Sequence, residues 1–139
     1  PPPPPDPLWS RGLGDVYKRQ LEGNRILSPA MIQFCTQNHT GKQRNILFDM
    51  WTGTRNWDFY PANLGVGFFT RGTGNLPGLF SVMNSARTFG GFGAGSTGFT
   101  VDPEKDLTFT FLSTGLMEDS YHFERIGMLA GLVVSAIVD

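Results

Sequence analysis

Hydrophobic positions in this chain change period twice, from helical spacing to alternation and back. Near the start, Ser28-Pro29 followed by Met31, Ile32, Phe34 and Cys35 predicts a short helix with one apolar side. Ser28 is a favoured N-cap, and Pro29 suits the first helical position, where its missing N–H has no intrahelical partner to lose. Asn38 and Gly41 supply stops. Residues 42–62 are polar with interleaved rings (Phe48, Trp51, Trp57, Phe59, Tyr60) and no clear period. That predicts an irregular loop packed down by its own aromatics.

From Leu64 the period is two. Leu64, Val66 and Phe68 alternate with Gly65 and Gly67, predicting a strand, and Arg71-Gly72-Thr73-Gly74-Asn75 predicts a turn. A second extended stretch is expected around Leu79–Met83, and Thr88–Val101 reads as a glycine-rich strand pair or one bent strand. Asp102-Pro103-Glu104-Lys105-Asp106 predicts a turn, since Asp is favoured at its first position and Pro presets the next φ. The strand Leu107–Ser113 places Leu107, Phe109 and Phe111 on one face, with Thr108 and Thr110 on the other. Helical spacing then returns: Ile126, Leu129, Ala130, Val133, Val134 and Ile137 follow a start capped by Asp119 or Ser120, with Glu124 in an early turn. Met128 and Leu132 widen that stripe, so deep burial against the sheet is expected. The expected fold is α/β, an antiparallel sheet packed by a C-terminal helix.

Composition narrows the class. The chain has 139 residues, room for about one domain, and its 40% hydrophobic content supports a globular core. Twelve of its aromatics are Phe, and with 18 Gly this favours a sheet-rich core with tight turns. Eleven Lys and Arg against twelve Asp and Glu give a net charge of −1, which argues against a nucleic-acid surface. Residues 1–20 open with five prolines and show no core periodicity, so they are expected to be non-native or disordered, with the domain in 21–139. The longest apolar run, residues 126–138, is interrupted by Gly127, Gly131 and Ser135, whereas a membrane span needs about twenty residues. No span is expected. The single cysteine, Cys35, excludes an internal disulfide framework and a thiolate-rich zinc site.

Several short motifs carry possible chemistry. Gly93-Ala94-Gly95-Ser96-Thr97-Gly98 fits G-x-G-x-x-G, but a dinucleotide site needs a helix to follow, and here a strand is expected. No cofactor is therefore expected. Ser96 lies in a near-match to a nucleophile elbow whose first Gly is Ala94, so it reads as a locally bonded strand serine. Cys35 and His39 share a helix face if the first helix extends that far, yet two ligands do not make a zinc site, and no metal is expected. Asn38-His39-Thr40 fits a glycosylation sequon, a pattern common by chance. Asp102, Glu104 and Asp106 form a carboxylate cluster, for which a solvated hairpin end is the expected explanation. No complete catalytic constellation emerges from the residues alone.

Three segments together resemble the C-terminal part of the serine β-lactamase-like superfamily, which also contains D-Ala peptidases and esterases. The first is Arg25-Ile26-Leu27-Ser28-Pro29 with Asn38-His39-Thr40-Gly41; the second is Leu64-Gly65-Val66-Gly67-Phe68. The third and most specific runs from Thr88 to Ser113, through Phe89-Gly90-Gly91-Phe92-Gly93-Ala94-Gly95-Ser96-Thr97 and Val101-Asp102-Pro103-Glu104-Lys105-Asp106-Leu107. The resemblance implies a partial β-lactamase-like domain with a small-molecule ester, amide or lactam substrate. In that family a strand carries Lys/His-x-Gly facing the nucleophile, and those positions fall here on Gly91, Phe92 and Gly93. The next residue, Ala94, is implied to lend its backbone N–H to an oxyanion hole, a role independent of side-chain identity.

Gly91 departs from the family's Lys or His, which removes a cation or proton-transfer group. The family's Ser-x-x-Lys and Tyr-x-Asn motifs are absent from this sequence. Both lie upstream in the family, so the expectation is a C-terminal fragment of a serine hydrolase, lacking the N-terminal part of the same domain and inactive alone. The alternatives are a non-catalytic binding module of the same fold and an unrelated small β-rich structural domain.

Overall fold

The computed structural model describes residues 20–21, 24–25, 27–74 and 78–137, so the expectation for residues 1–20 lies outside the described residues apart from Gln20. Elements run β1 (Gln20–Leu21), β2 (Asn24–Arg25), α1 (Pro29–Cys35), α2 (Asp49–Arg55), β3 (Phe69–Thr70), β4 (Phe89–Gly93), β5 (Thr97–Asp102), β6 (Leu107–Phe111) and α3 (Asp119–Ser135). β1 pairs with β2, and β3 to β6 form an antiparallel sheet of four strands in sequence order. The fold is α/β, with its C-terminal helix on one side of that sheet.

Alternation sorts the sheet into two faces. Phe89, Gly91 and Gly93 of β4 pair with Val101, Phe99 and Thr97 of β5, while Gly90 and Phe92 pair with Thr100 and Gly98. Gly98, Thr100 and Asp102 in turn oppose Phe111, Phe109 and Leu107 of β6. The second set faces α3: Phe92 meets Phe123 edge-on at 4.5 Å between ring centroids. The buried cluster is Phe48, Trp51, Leu79, Phe123 and Ile126, with Phe69, Phe92, Phe109 and Phe111 packed against it. Burying each such side chain contributes about 1.5–3 kcal/mol.

Local structure departs from the expected elements at three places. Residues 42–62 contain α2, and their rings do pack, but into the shared core: Phe48 stacks on Tyr60 at 4.5 Å and meets Phe123 at 5.1 Å. Leu64–Phe68 is a tight turn rather than a strand, closed by the Gly65 N–H donating to the Phe68 carbonyl at 2.9 Å, with Gly67 at φ 81°. The Val66 N–H donates to the Cys35 carbonyl at 2.8 Å, so this turn satisfies an orphan carbonyl at the end of α1. Leu79–Met83 is likewise irregular. It is held by Arg71, whose guanidinium donates to the carbonyls of Gly72 (2.7 Å), Ser81 (3.0 Å) and Val82 (3.1 Å).

Both flanking helices are more exposed than their patterns suggest. α1 is capped as expected, with the Met31 N–H donating to Ser28 Oγ at 3.1 Å, yet it has no buried residue. α3 starts at Asp119 with Glu118 as its N-cap, and buries Phe123, Ile126, Ala130 and Val134. Met128 and Leu132 remain 65% and 67% exposed, because they lie on the side turned from the sheet. The apolar stripe is thus narrower than its sequence.

Gly127 sets how closely α3 sits on the loop beneath it, since a Cβ there would collide with the Gly78 carbonyl oxygen. Gly127→Ala is expected to lower stability by about 1–3 kcal/mol, the cost of overpacking against rigid backbone. Gly53, inside α2, faces open space instead. Gly53→Ala is expected to raise stability by about 0.4–1 kcal/mol. Urea unfolding midpoints of the two variants, moving in opposite directions, check both.

Candidate active-site face

β4 presents two of its three glycines, Gly91 and Gly93, to the sheet face turned away from α3. There Gly91 and Gly93, with Gly67, Thr97, Phe99 and Thr110, border an open depression of about 410 Å³. A Cβ on Gly91 would approach the Phe99 ring to 3.0 Å, so a larger residue requires that ring to give slightly. Phe92, between the two glycines, points the other way, its ring 5.1 Å from Phe69 in the core. It therefore offers the depression main chain only.

Ala94 is the first residue past β4 and is exposed. Its N–H has no hydrogen-bond acceptor among the described residues. The turn that follows ends at Ser96, which is fully buried with φ 57°. Ser96 Oγ accepts from the Met117 N–H at 2.7 Å, so this serine stands in the turn and bonds across 21 residues, not locally within a strand as expected. β5 follows the turn, so no helix N-terminus stands behind the G-x-G-x-x-G string.

The carboxylate cluster divides. Glu104 and Asp106 are exposed, as a solvated hairpin end requires, but Asp102 is 1% exposed. Its carboxylate accepts from Ser85 Oγ at 2.6 Å, the Ser85 N–H at 2.8 Å and Asn84 Nδ2 at 3.4 Å. Burial pushes its pKa up, but these donors outweigh burial and hold it below the ordinary value. Asp102 ties the 84–85 loop to β5. On α1, the helix ends at Cys35, and His39 beyond it donates from Nε2 to the Phe34 carbonyl at 2.6 Å. Among the described residues no three His, Cys, Asp or Glu side chains stand together as a metal site.

Two further spaces lie among the described residues. A cavity of about 20 Å³ lies inside the core beside Phe48, Tyr60 and Phe69, roomy enough for a single water. A groove of about 450 Å³ runs between α1 and the sheet edge, past Gln33, Asn38, Arg87 and Phe89. Neither contains a nucleophile paired with a base. One polar cluster has no counterpart in the sequence reading: His122 and Arg125 of α3 sit directly beneath the Ala94–Ser96 turn, reaching the Thr97 and Ser96 carbonyls.

The chain is similar in fold to the crystal structure of a β-lactamase from Mycobacterium bovis. The TM-score is 0.65 at 22% identity, over 88% of this chain and 40% of that one. At that identity the likeness is one of fold alone. The chain spans 40% of the length of that protein. No protein-family profile matches the sequence, and no curated protein matches it. Among the described residues no helix is long and apolar enough to cross a membrane.

Asp102 generates a pH prediction. Because its folded pKa lies below the ordinary 3.8, the unfolded chain binds more protons in that window. Its contribution is present above pH 3.8 and is lost as pH falls through the folded value. Asp102→Asn is expected to cost about 1–3 kcal/mol at pH 7, by leaving buried donors unpaired. The gap between variant and parent should narrow in acid. Unfolding free energies of both proteins from pH 7 to pH 2.5 check this.

Proposed function

We propose that the chain is the C-terminal part of a serine hydrolase resembling β-lactamases, D-Ala peptidases and esterases, with Ala94 as a backbone oxyanion donor. The observation that carries the reading is Ala94, an exposed residue whose N–H has no acceptor among the described residues, at the end of a strand that turns Gly91 and Gly93 to one open sheet face. The superfamily-level fold likeness and the 40% share of the M. bovis protein support it. The bare apolar side of α1, where Met31 is 49% and Phe34 53% exposed, supports a further part of the domain packing there.

In this reading a serine on that further part, activated by a neighbouring lysine, attacks an ester, amide or lactam carbonyl. As the tetrahedral intermediate forms, its oxygen gains negative charge and accepts a hydrogen bond from the Ala94 N–H. Gly91, Gly93 and the Phe92 main chain border the substrate. A glycine at 91 leaves the substrate without the cation or proton-transfer group that the family supplies there. Ester substrates, which need less help at the leaving group than amides, fit that loss best.

The test compares the 139-residue chain with the longer reading frame that contains it, using a nitrophenyl ester. The chain alone is expected to show no turnover, and the longer protein a burst of nitrophenol. Ala94→Pro, which deletes the N–H, should lower the longer protein's kcat by about 10²–10³-fold, the worth of one oxyanion donor. Turnover unaffected by that substitution removes Ala94 from the chemistry. A longer frame lacking Ser-x-x-Lys and any burst favours the non-catalytic binding module.

A further inference from the structure

Beneath the Ala94–Ser96 turn, one buried imidazole has both nitrogens committed. His122 is fully buried. Its Nε2 lies 3.0 Å from the Thr97 carbonyl oxygen, and its Nδ1 lies 3.1 Å from Arg125 Nη2. A carbonyl oxygen only accepts, so Nε2 carries the proton. A guanidinium only donates, so Nδ1 is a bare acceptor. Two independent partners thus specify one tautomer.

The same Arg125 Nη2 also lies 3.4 Å from the Ser96 carbonyl oxygen, and the guanidinium is stacked over the Phe111 ring at 4.7 Å. Its Nε is buried with no hydrogen-bond partner among the described residues. Arg125 therefore leaves one donor unsatisfied while directing another at the ring and the turn, a costly arrangement in a half-buried position. The Met117 N–H also holds Ser96 Oγ at 2.7 Å. Ser96 keeps a left-handed φ of 57°, a conformation that needs outside support in a residue other than glycine.

We propose that His122 and Arg125 are positioning residues for this turn. The imidazole holds the Thr97 carbonyl, the guanidinium holds the Ser96 carbonyl and fixes the imidazole tautomer, and the two together set the direction of the Ala94 N–H. Neither side chain touches the depression bordered by Gly91 and Gly93. The significance for catalysis rests on the reading of Ala94 given above; the clamp on the turn does not.

The experiment is nuclear magnetic resonance on the ¹⁵N-labelled 139-residue chain. Long-range imidazole correlations should show His122 with its proton on Nε2. In Arg125→Met, which keeps length and apolar bulk, the Ala94 and Gly95 amide signals should move. The Met117 amide should exchange roughly tenfold faster, as loss of one net hydrogen bond allows, while ladder amides of β5 are unchanged. Arg125→Lys, which restores a donor, should recover part of that protection. A proton on Nδ1 in the parent chain overturns the proposal, even if the variant does not fold. So does a folded Arg125→Met with unmoved turn signals. Failure of the ester assay leaves these signals unaffected, so the two readings fail separately.

Discussion

Phe123 and Ile126 are 1% and 0% exposed, and the sheet beneath them gives a ring at one place and nothing at another. Phe92 supplies the ring, and Gly98 supplies the gap: a Cβ on Gly98 would stand 3.5 Å from Ile126 Cδ1. That fit commits Phe92 to the α3 side. Alternation then leaves no choice for its neighbours, and Gly91 and Gly93 must face the other way. A slip of one residue in the β4–β5 register would reverse every side chain and put the glycine face under the helix. The open depression follows from the packing of an aromatic on its far side.

The same alternation explains what could be read from the residues and what could not. β4, β5 and β6 were legible because their period of two is enforced by burial on one face and ended by strong turn residues at 102–106. Leu64–Phe68 has the same alternation but no face to bury. Its glycines serve close approach instead, Gly65 lying where a Cβ would strike the Cys35 carbonyl. α2 was missed because its seven residues include Gly53 and two threonines, so propensity was weak and only Trp51 is buried. Tertiary contact of Phe48 and Trp51 with Phe123 overrides that weakness. On α3, spacing gave the buried row but not its width. The sheet supplies only one row of partners, so Met128 and Leu132 lie outside it.

Polar groups in the interior escaped sequence reading for a different reason. Asp102 stands in a turn-like string that elsewhere marks a solvated hairpin, and only the fold brings Ser85 and Asn84 to its carboxylate across 17 and 18 residues. His122 meets the Thr97 carbonyl across 25 residues and Arg125 meets the Ser96 carbonyl across 29. No periodicity encodes such pairings. Ser96 carried a local signal, a serine in a glycine-rich stretch, and that signal read as a locally bonded strand serine. Its hydroxyl is instead an acceptor that pins the turn from below. The alternation that puts Gly91 and Gly93 on one face was legible; the contacts of His122 and Arg125 with the turn were not.

Gly91 remains the feature on which the two readings of the site divide. A backbone donor survives loss of the neighbouring side chain, because the peptide N–H is present whatever residue stands at 91. A cation at that position does different work, drawing in an anionic substrate or passing a proton to the leaving group. The space over Gly91 is bounded by Phe99, whose ring edge lies 3.0 Å from where a Cβ would stand. In the proposed reading, Phe99 offers an anionic substrate group no charged partner at this point. A neutral ester meets both conditions, needing an oxyanion donor and no cation. A carboxylate-bearing lactam meets only the first.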